Sequence, residues 1–153
     1  MAARMVKRKR ADQSRQPPTL EEIVAGCRLE APRYPLEEQV EVVGETYYIK
    51  GIRRVFADEG MPITPRGATL EQMPCSLVPN PWNPHDPNAV AVCVGRHHVG
   101  YLPADLAIDY APSLIKLAQR EVLASGEARL WAKSDGGMVR ARVTILIPEA
   151  DVF

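Results

Sequence analysis

The side chains best suited to non-covalent chemistry lie near the end of the chain, where Trp131 sits among Arg129, Lys133, Arg140 and Arg142. An indole between cations can stack on a base while its neighbours take phosphates. The same pattern also fits the solvated outer face of a hairpin. A second group, His85, Asp86, Cys93, His97 and His98, has the residue types of a metal site. His97 and His98 are adjacent, however, so on a strand they point to opposite faces, and no repeated ligand spacing accompanies them. Neither a metal nor a cofactor is expected. No phosphate-cradling glycine loop, nucleophile elbow or pair of catalytic carboxylates is recognisable, so the chain does not read as an enzyme. Cys27, Cys75 and Cys93 are widely spaced without a Cys-x-x-Cys pair, which argues against a disulfide framework or a zinc ribbon and leaves buried or incidental thiols.

The elements that must position these groups are mostly strands. Gln39 to Val43, Ala89 to Val94, His97 to Leu102, Glu127 to Lys133 and Met138 to Ile147 carry strand signals. Ser134-Asp135-Gly136-Gly137 marks a tight hairpin turn between the last two. In that hairpin Ala128, Leu130 and Ala132 share one face, as do Val139, Ala141, Val143, Ile145 and Ile147, which turns Trp131 and its cations to the other. Thr19 and Glu22 match a capping box ahead of a short helix from about 20 to 29. Helical spacing recurs at Tyr48, Ile52, Val55 and Phe56, and from Ala104 to Gln119. Short strands with helices as plugs predict a mainly β fold, an OB-like, partly open, antiparallel-rich barrel of five or six strands flanked by two helices.

At 153 residues the chain fits one domain with a tail and has no room for a helicase motor. Hydrophobic residues at 46% and charged ones at 25% are ordinary for a water-soluble domain, and no apolar run reaches membrane-spanning length. A cytoplasmic protein without a membrane partner is expected. The division predicted is a disordered basic arm over 1–18, a short helix and proline-containing linker over 19–37, and the barrel over 38–150.

The formal neutrality of the chain hides an asymmetry. Residues 1 to 19 carry six cations, including Lys7 to Arg10, against Asp12 alone, so this stretch is +5 and the remainder is −5. Phosphate neutralisation dominates non-specific nucleic-acid affinity, so an acidic body must use a small local site and should show a shallow salt dependence.

Three blocks carry a family resemblance: Val-Val-Gly-Glu-Thr-Tyr-Tyr at 42–48, Leu-Val-Pro-Asn-Pro-Trp-Asn-Pro-His-Asp-Pro-Asn-Ala-Val-Ala-Val at 77–92, and Val-Gly-Tyr-Leu-Pro at 99–103. Their order and spacing resemble the HIRAN domain family over about residues 38–150. The resemblance implies an OB-like barrel that grips the 3′-hydroxyl end of single-stranded DNA. It assigns Tyr47 to base stacking and has it converge with Asp86 on one pocket, with Asn83 and His85 around it. Tyr101, after a strand glycine, fits the core or the DNA-binding pocket equally well. His85 replaces a tyrosine usual in its block, and Asn80 a glutamate common in stand-alone members. Thr46 and Ala104 stand where a DNA-binding member has basic residues. Arg53, Arg54 and Arg96 are candidate replacements for those phosphate contacts, and Trp131 and Arg140 further stacking or phosphate contacts. Asp86 ahead of Pro87-Asn88 equally fits a turn-forming aspartate.

The function expected is a nucleic-acid-binding module that recognises single-stranded DNA 3′ ends and directs a repair, replication or restriction partner, a helicase or nuclease supplied in trans. The rival expectations are a protein-interaction adaptor without end recognition and a zinc-dependent hydrolase acting on nucleic acid.

Overall fold

The run Val90–Val94 lacks the alternation of a half-exposed strand, and the computed structural model, which describes residues 16–31 and 33–153, shows why. Val90, Val92 and Val94 belong to the main core, while Ala91 and Cys93 belong to a second cluster under a helix. Both faces of the strand are dry, so both are apolar. The basic run Lys7 to Arg10, and with it most of the segment expected to be disordered, lies outside the described residues.

In chain order the strands are β1 (Arg28–Glu30), β2 (Glu38–Glu41), β3 (Ala68–Pro79), β4 (Val90–Val94), β5 (His97–Tyr101), β6 (Val122–Asp135) and β7 (Met138–Ile147). Six of them form one antiparallel path, β2-β7-β6-β3-β4-β5, and β1 runs parallel to the start of β6. Just past β2 the chain joins the two edges. The Val42 N–H donates to the Val143 carbonyl at 2.9 Å, and Val43 and Tyr101 exchange two backbone bonds of 2.9 Å each. The sheet is thus curled into an OB-like barrel whose closure is one bridge wide.

Alternation on the last hairpin follows the expected faces. Ala128, Leu130, Ala132, Val143, Ile145 and Ile147 are buried, and Arg129, Arg140 and Arg142 are exposed. The turn itself is centred one residue later than Asp135-Gly136: Asp135 pairs with Met138, and Gly136 and Gly137 take φ of 58° and 88°. Two successive positive φ values are the geometry that matches a right-twisted ribbon, and glycine adopts them at no steric cost.

Among the described residues three α-helices pack on this sheet. The capping box is present: the Thr19 hydroxyl accepts from the Glu22 N–H, and Glu22 Oε1 accepts from the Thr19 N–H. It starts α1 (Leu20–Gly26), whose Leu20, Ile23 and Val24 cover the outer cluster of Val78, Ala91, Cys93 and Leu123. The expectation of a helix to about residue 29 is corrected. Cys27 is already extended, and Arg28–Glu30 is drawn into pairing with β6, a tertiary contact that overrides local preference. A 3₁₀ turn, η1 (Glu45–Tyr48), leads into α2 (Ile49–Asp58), which buries Ile52, Val55 and Phe56 in the main core. Helix α3 (Ala104–Gln119) buries Ala107, Tyr110, Ala111 and Leu114 there, and the Tyr110 hydroxyl donates to the Pro148 carbonyl at 2.6 Å.

Candidate nucleic-acid interface

The strand ending at Val43 gives way at Gly44 to the η1 turn, which sends two neighbouring tyrosines in different directions. Tyr47 is 87% exposed. Tyr48 is half-buried, its ring 4.0 Å from that of His98 and 5.8 Å from that of Tyr101.

On a regular strand His98 and Tyr101, three residues apart, would face opposite sides. Here the β4–β5 register slips: Val92 faces Gly100 and Cys93 faces His98, so Val99 is extra. The bulge turns His98 and Tyr101 to the same side, with centroids 4.8 Å apart and the rings nearly perpendicular. Tyr48, His98 and Tyr101 make one aromatic cluster. Burial, then the nearby Tyr101 hydroxyl, pushes the Tyr48 phenol up to about 12. Burial also pulls His98 below its usual value, against a smaller opposing effect of its bond to the Gly100 carbonyl. That bond, from Nε2 at 2.9 Å, fixes the proton on Nε2. At neutral pH Tyr48 and His98 are therefore both uncharged. The neighbouring His97 sits 2.8 Å from the Asp58 carboxyl and ties the end of α2 to β5.

The residues from Asn80 to Ala89 form an ordered loop between β3 and β4. The Asn80 N–H donates to the Ala89 carbonyl at 2.8 Å and closes its base. Inside it, Asn83 Oδ1 accepts from the backbone N–H groups of His85 (2.8 Å) and Asp86 (3.2 Å), and Asp86 Oδ1 accepts from the Asn88 N–H (2.8 Å). These are successive Asx turns, the structural role open to Asp86 from its sequence. Asp86 Oδ2 has no protein partner among the described residues, so the same side chain can brace the loop and still accept a hydrogen bond. His85 is exposed.

A concavity of about 360 Å³ lies at the other end of β4, between α2 and the β4–β5 turn. Tyr47, Tyr48 and His98 line it together with Lys50, Arg54 and Arg96. It exists because α2 lies against β5: a Cβ on Gly51 would stand 2.2 Å from the His98 carbonyl oxygen, so only glycine permits the approach. Of the cations proposed from the sequence, Arg54 and Arg96 meet here with Tyr47, whereas Arg53 is exposed outside it. Asn83, His85 and Asp86 do not line this concavity. Lys50 escaped the sequence reading, although its i, i+4 relation to Arg54 was visible. His98 and Tyr48 escaped it because the bulge leaves no trace in residue type.

Trp131 and Arg140 stand apart, on the outer face of the last hairpin. The indole lies across Gly67, and Arg129, Arg142 and Arg140 pair with Glu71 (3.2 Å), Glu41 (3.3 Å) and Asp135 (3.8 Å). Among the described residues no three His, Cys, Asp or Glu side chains converge as a metal site would require. Cys75 and Cys93 are buried, and burial pushes both thiols up to about 12, so they remain protonated and unreactive.

An OB-like barrel that holds a bare aromatic ring beside exposed cations belongs to the class of small nucleic-acid-binding β-barrels. Residues 37–145 match the HIRAN domain, and the chain belongs to that family of nucleic-acid-binding, rather than catalytic, modules. Among solved structures it is similar to the HIRAN domain of human HLTF, at 18% identity over 74% of this chain and 77% of that one, with a TM-score of 0.37. No curated protein matches it.

Proposed function

We propose that this protein captures single-stranded DNA at its 3′-hydroxyl end and directs a repair, replication or restriction partner, a helicase or nuclease acting in trans, to that end. The observation that carries the reading is Tyr47, held almost fully in solvent by a turn whose other tyrosine is packed away. An exposed ring on a rigid turn is a platform for a base, worth roughly 1–3 kcal/mol. The β3–β4 loop supplies the second element. A terminal sugar hydroxyl donates to Asp86 Oδ2, while a 3′-phosphate brings negative charge against the same carboxyl.

The test is a titration with one oligonucleotide ending in 3′-hydroxyl or in 3′-phosphate. A hydrogen bond to a charged group contributes about 1.5–3 kcal/mol, so the hydroxyl end should bind roughly 10- to 100-fold more tightly. Asp86→Asn keeps an oxygen for the Asn88 N–H and replaces the free acceptor with a donor, so it should erase or reverse the preference without melting the loop. Tyr47→Ala should weaken both ends about equally. Retention of full end discrimination by a folded Asp86→Asn protein contradicts the reading. A protein-interaction adaptor then becomes the better one, favoured by the apolar groove of about 400 Å³ in which Trp82 stands beside Ile23 and Ile115.

A further inference from the structure

We infer that the concavity between α2 and the β4–β5 turn is a phosphate track, and that it receives the backbone on the 5′ side of the captured end, so that the strand lies along β4–β5 in one direction only. This rests on the end-recognition reading above.

The cations come from two elements distant in the chain. Lys50 and Arg54 are one turn apart on α2, and Arg96 is on the turn after β4, yet all three are exposed and line one hollow. Among the described residues none of them is in an ion pair, in contrast to the arginines of the last hairpin. What sets them apart from other exposed cations such as Arg53 is that they gather in one hollow beside Tyr47, Tyr48 and His98. Glu21 of α1 lines the same hollow and sets one acidic boundary to it. A strand whose base stacks on Tyr47, at the rim, can therefore place its phosphates on Lys50, Arg54 and Arg96 without leaving the hollow.

Direction follows from topology. The loop holding Asp86 enters β4 at Val90, and Arg96 leaves it after Val94. At about 3.3 Å per residue these ends are roughly 13 Å apart. Between them lie the rings of Tyr101, paired opposite Ala91, and His98, paired opposite Cys93. With the terminal hydroxyl at the Asp86 loop, the chain of nucleotides leading to it must pass the rings and reach the cations from its 5′ side. The track also explains how a body of net charge −5 beyond residue 19 holds a polyanion. Three of its cations act together at this hollow.

The test compares the full chain with the triple variant Lys50→Gln, Arg54→Gln, Arg96→Gln, binding a hexathymidylate with a free 3′-hydroxyl. A second triple variant, Arg53→Gln, Lys116→Gln, Arg120→Gln, removes the same charge outside the hollow. Each lost single-strand phosphate contact removes about 0.7 from the slope of log K against log salt. The first variant should flatten the slope by about 2, and the second should leave it nearly unchanged. All six residues are on the surface, and unaltered thermal melting verifies folding. Neutral methylphosphonate linkages in the 5′ half of the oligonucleotide should abolish the difference between wild type and the first variant, while the same linkages in the 3′ half should preserve it. Equal slopes for wild type and the first variant overturn the track, even where the 3′-hydroxyl preference persists and end recognition stands. A difference abolished only by 3′-half substitution overturns the direction. Absence of any 3′-hydroxyl preference in the wild type overturns end recognition and the direction with it.

Discussion

His98 is the side chain at the candidate interface whose ionisation the fold opposes at mildly acidic pH. It is uncharged in the native cluster because burial disfavours the imidazolium, and an unfolded chain releases it to its ordinary value of 6.5. Below pH 6.5 the unfolded state therefore binds more protons than the folded one at this position. Stability must rise with pH across that window and fall on acidification until the folded value is passed. The expected result is a melting temperature that drops on going from pH 7.5 to 5, with a smaller drop for His98→Phe, which keeps a ring and cannot titrate. Parallel curves for the two proteins would show that His98 is not the responsible group. At this scale Tyr47, Arg54 and Arg96 were legible in the sequence, and the structure brings all three to one hollow. Asp86 was legible as a turn residue and its bond to the Asn88 N–H bears that out, while its ligand role remains the proposal made above. What residue type could not reveal was the partnership of Tyr48, His98 and Tyr101, since it depends on one inserted residue in a strand.

The elements that hold the site are fixed by close backbone approaches. Helix α2 is seated on β5 at Gly51, where an added Cβ would meet the carbonyl oxygen of His98 at 2.2 Å and its carbon at 3.2 Å. Backbone cannot swing aside as a flexible side chain can. Gly51→Ala should therefore destabilise the protein by about 1–3 kcal/mol or more in urea denaturation, because α2 must lift away from the strand. Gly26, at the end of α1, has nothing within 4 Å of a built Cβ. Its alanine variant should be neutral or more stable by less than about 1 kcal/mol. Equal costs at the two positions would refute the seating of α2. The strands in the sequence reading were found where alternation or a run of valines announced them. The longest omission was β3, and the cause is visible in its register: Leu70 faces Leu130, yet Met73 faces Ala128, so a bulge at the positive-φ Gln72 breaks the two-residue period. Pro74 further disguises the strand, because it removes a ladder donor. Strand β1 had no chance of detection from local pattern, since three residues pair only because β6 offers them an edge.

For the molecule as a whole, the barrel class was legible because inner and outer faces alternate, and the main core of valine, leucine and isoleucine lies where that alternation put it. How the barrel closes was not legible. The seam is the reciprocal pair of bonds between Val43 and Tyr101, with η1, which carries Tyr47, beginning two residues beyond it at Glu45. A sheet sealed by a single pair has a preferred place to breathe, and backbone protons report it. In deuterated solvent the amide hydrogens of Val43 and Tyr101 should exchange sooner than those in the middle of the β6–β7 ladder, such as Leu130 and Val143, which open only with the whole fold. Stacking on Tyr47 would pin the residues leading into the seam. Single-stranded DNA should then protect those two amides while leaving the β6–β7 rates untouched, and ligand capture would be recorded as the slowing of one clasp in the barrel wall.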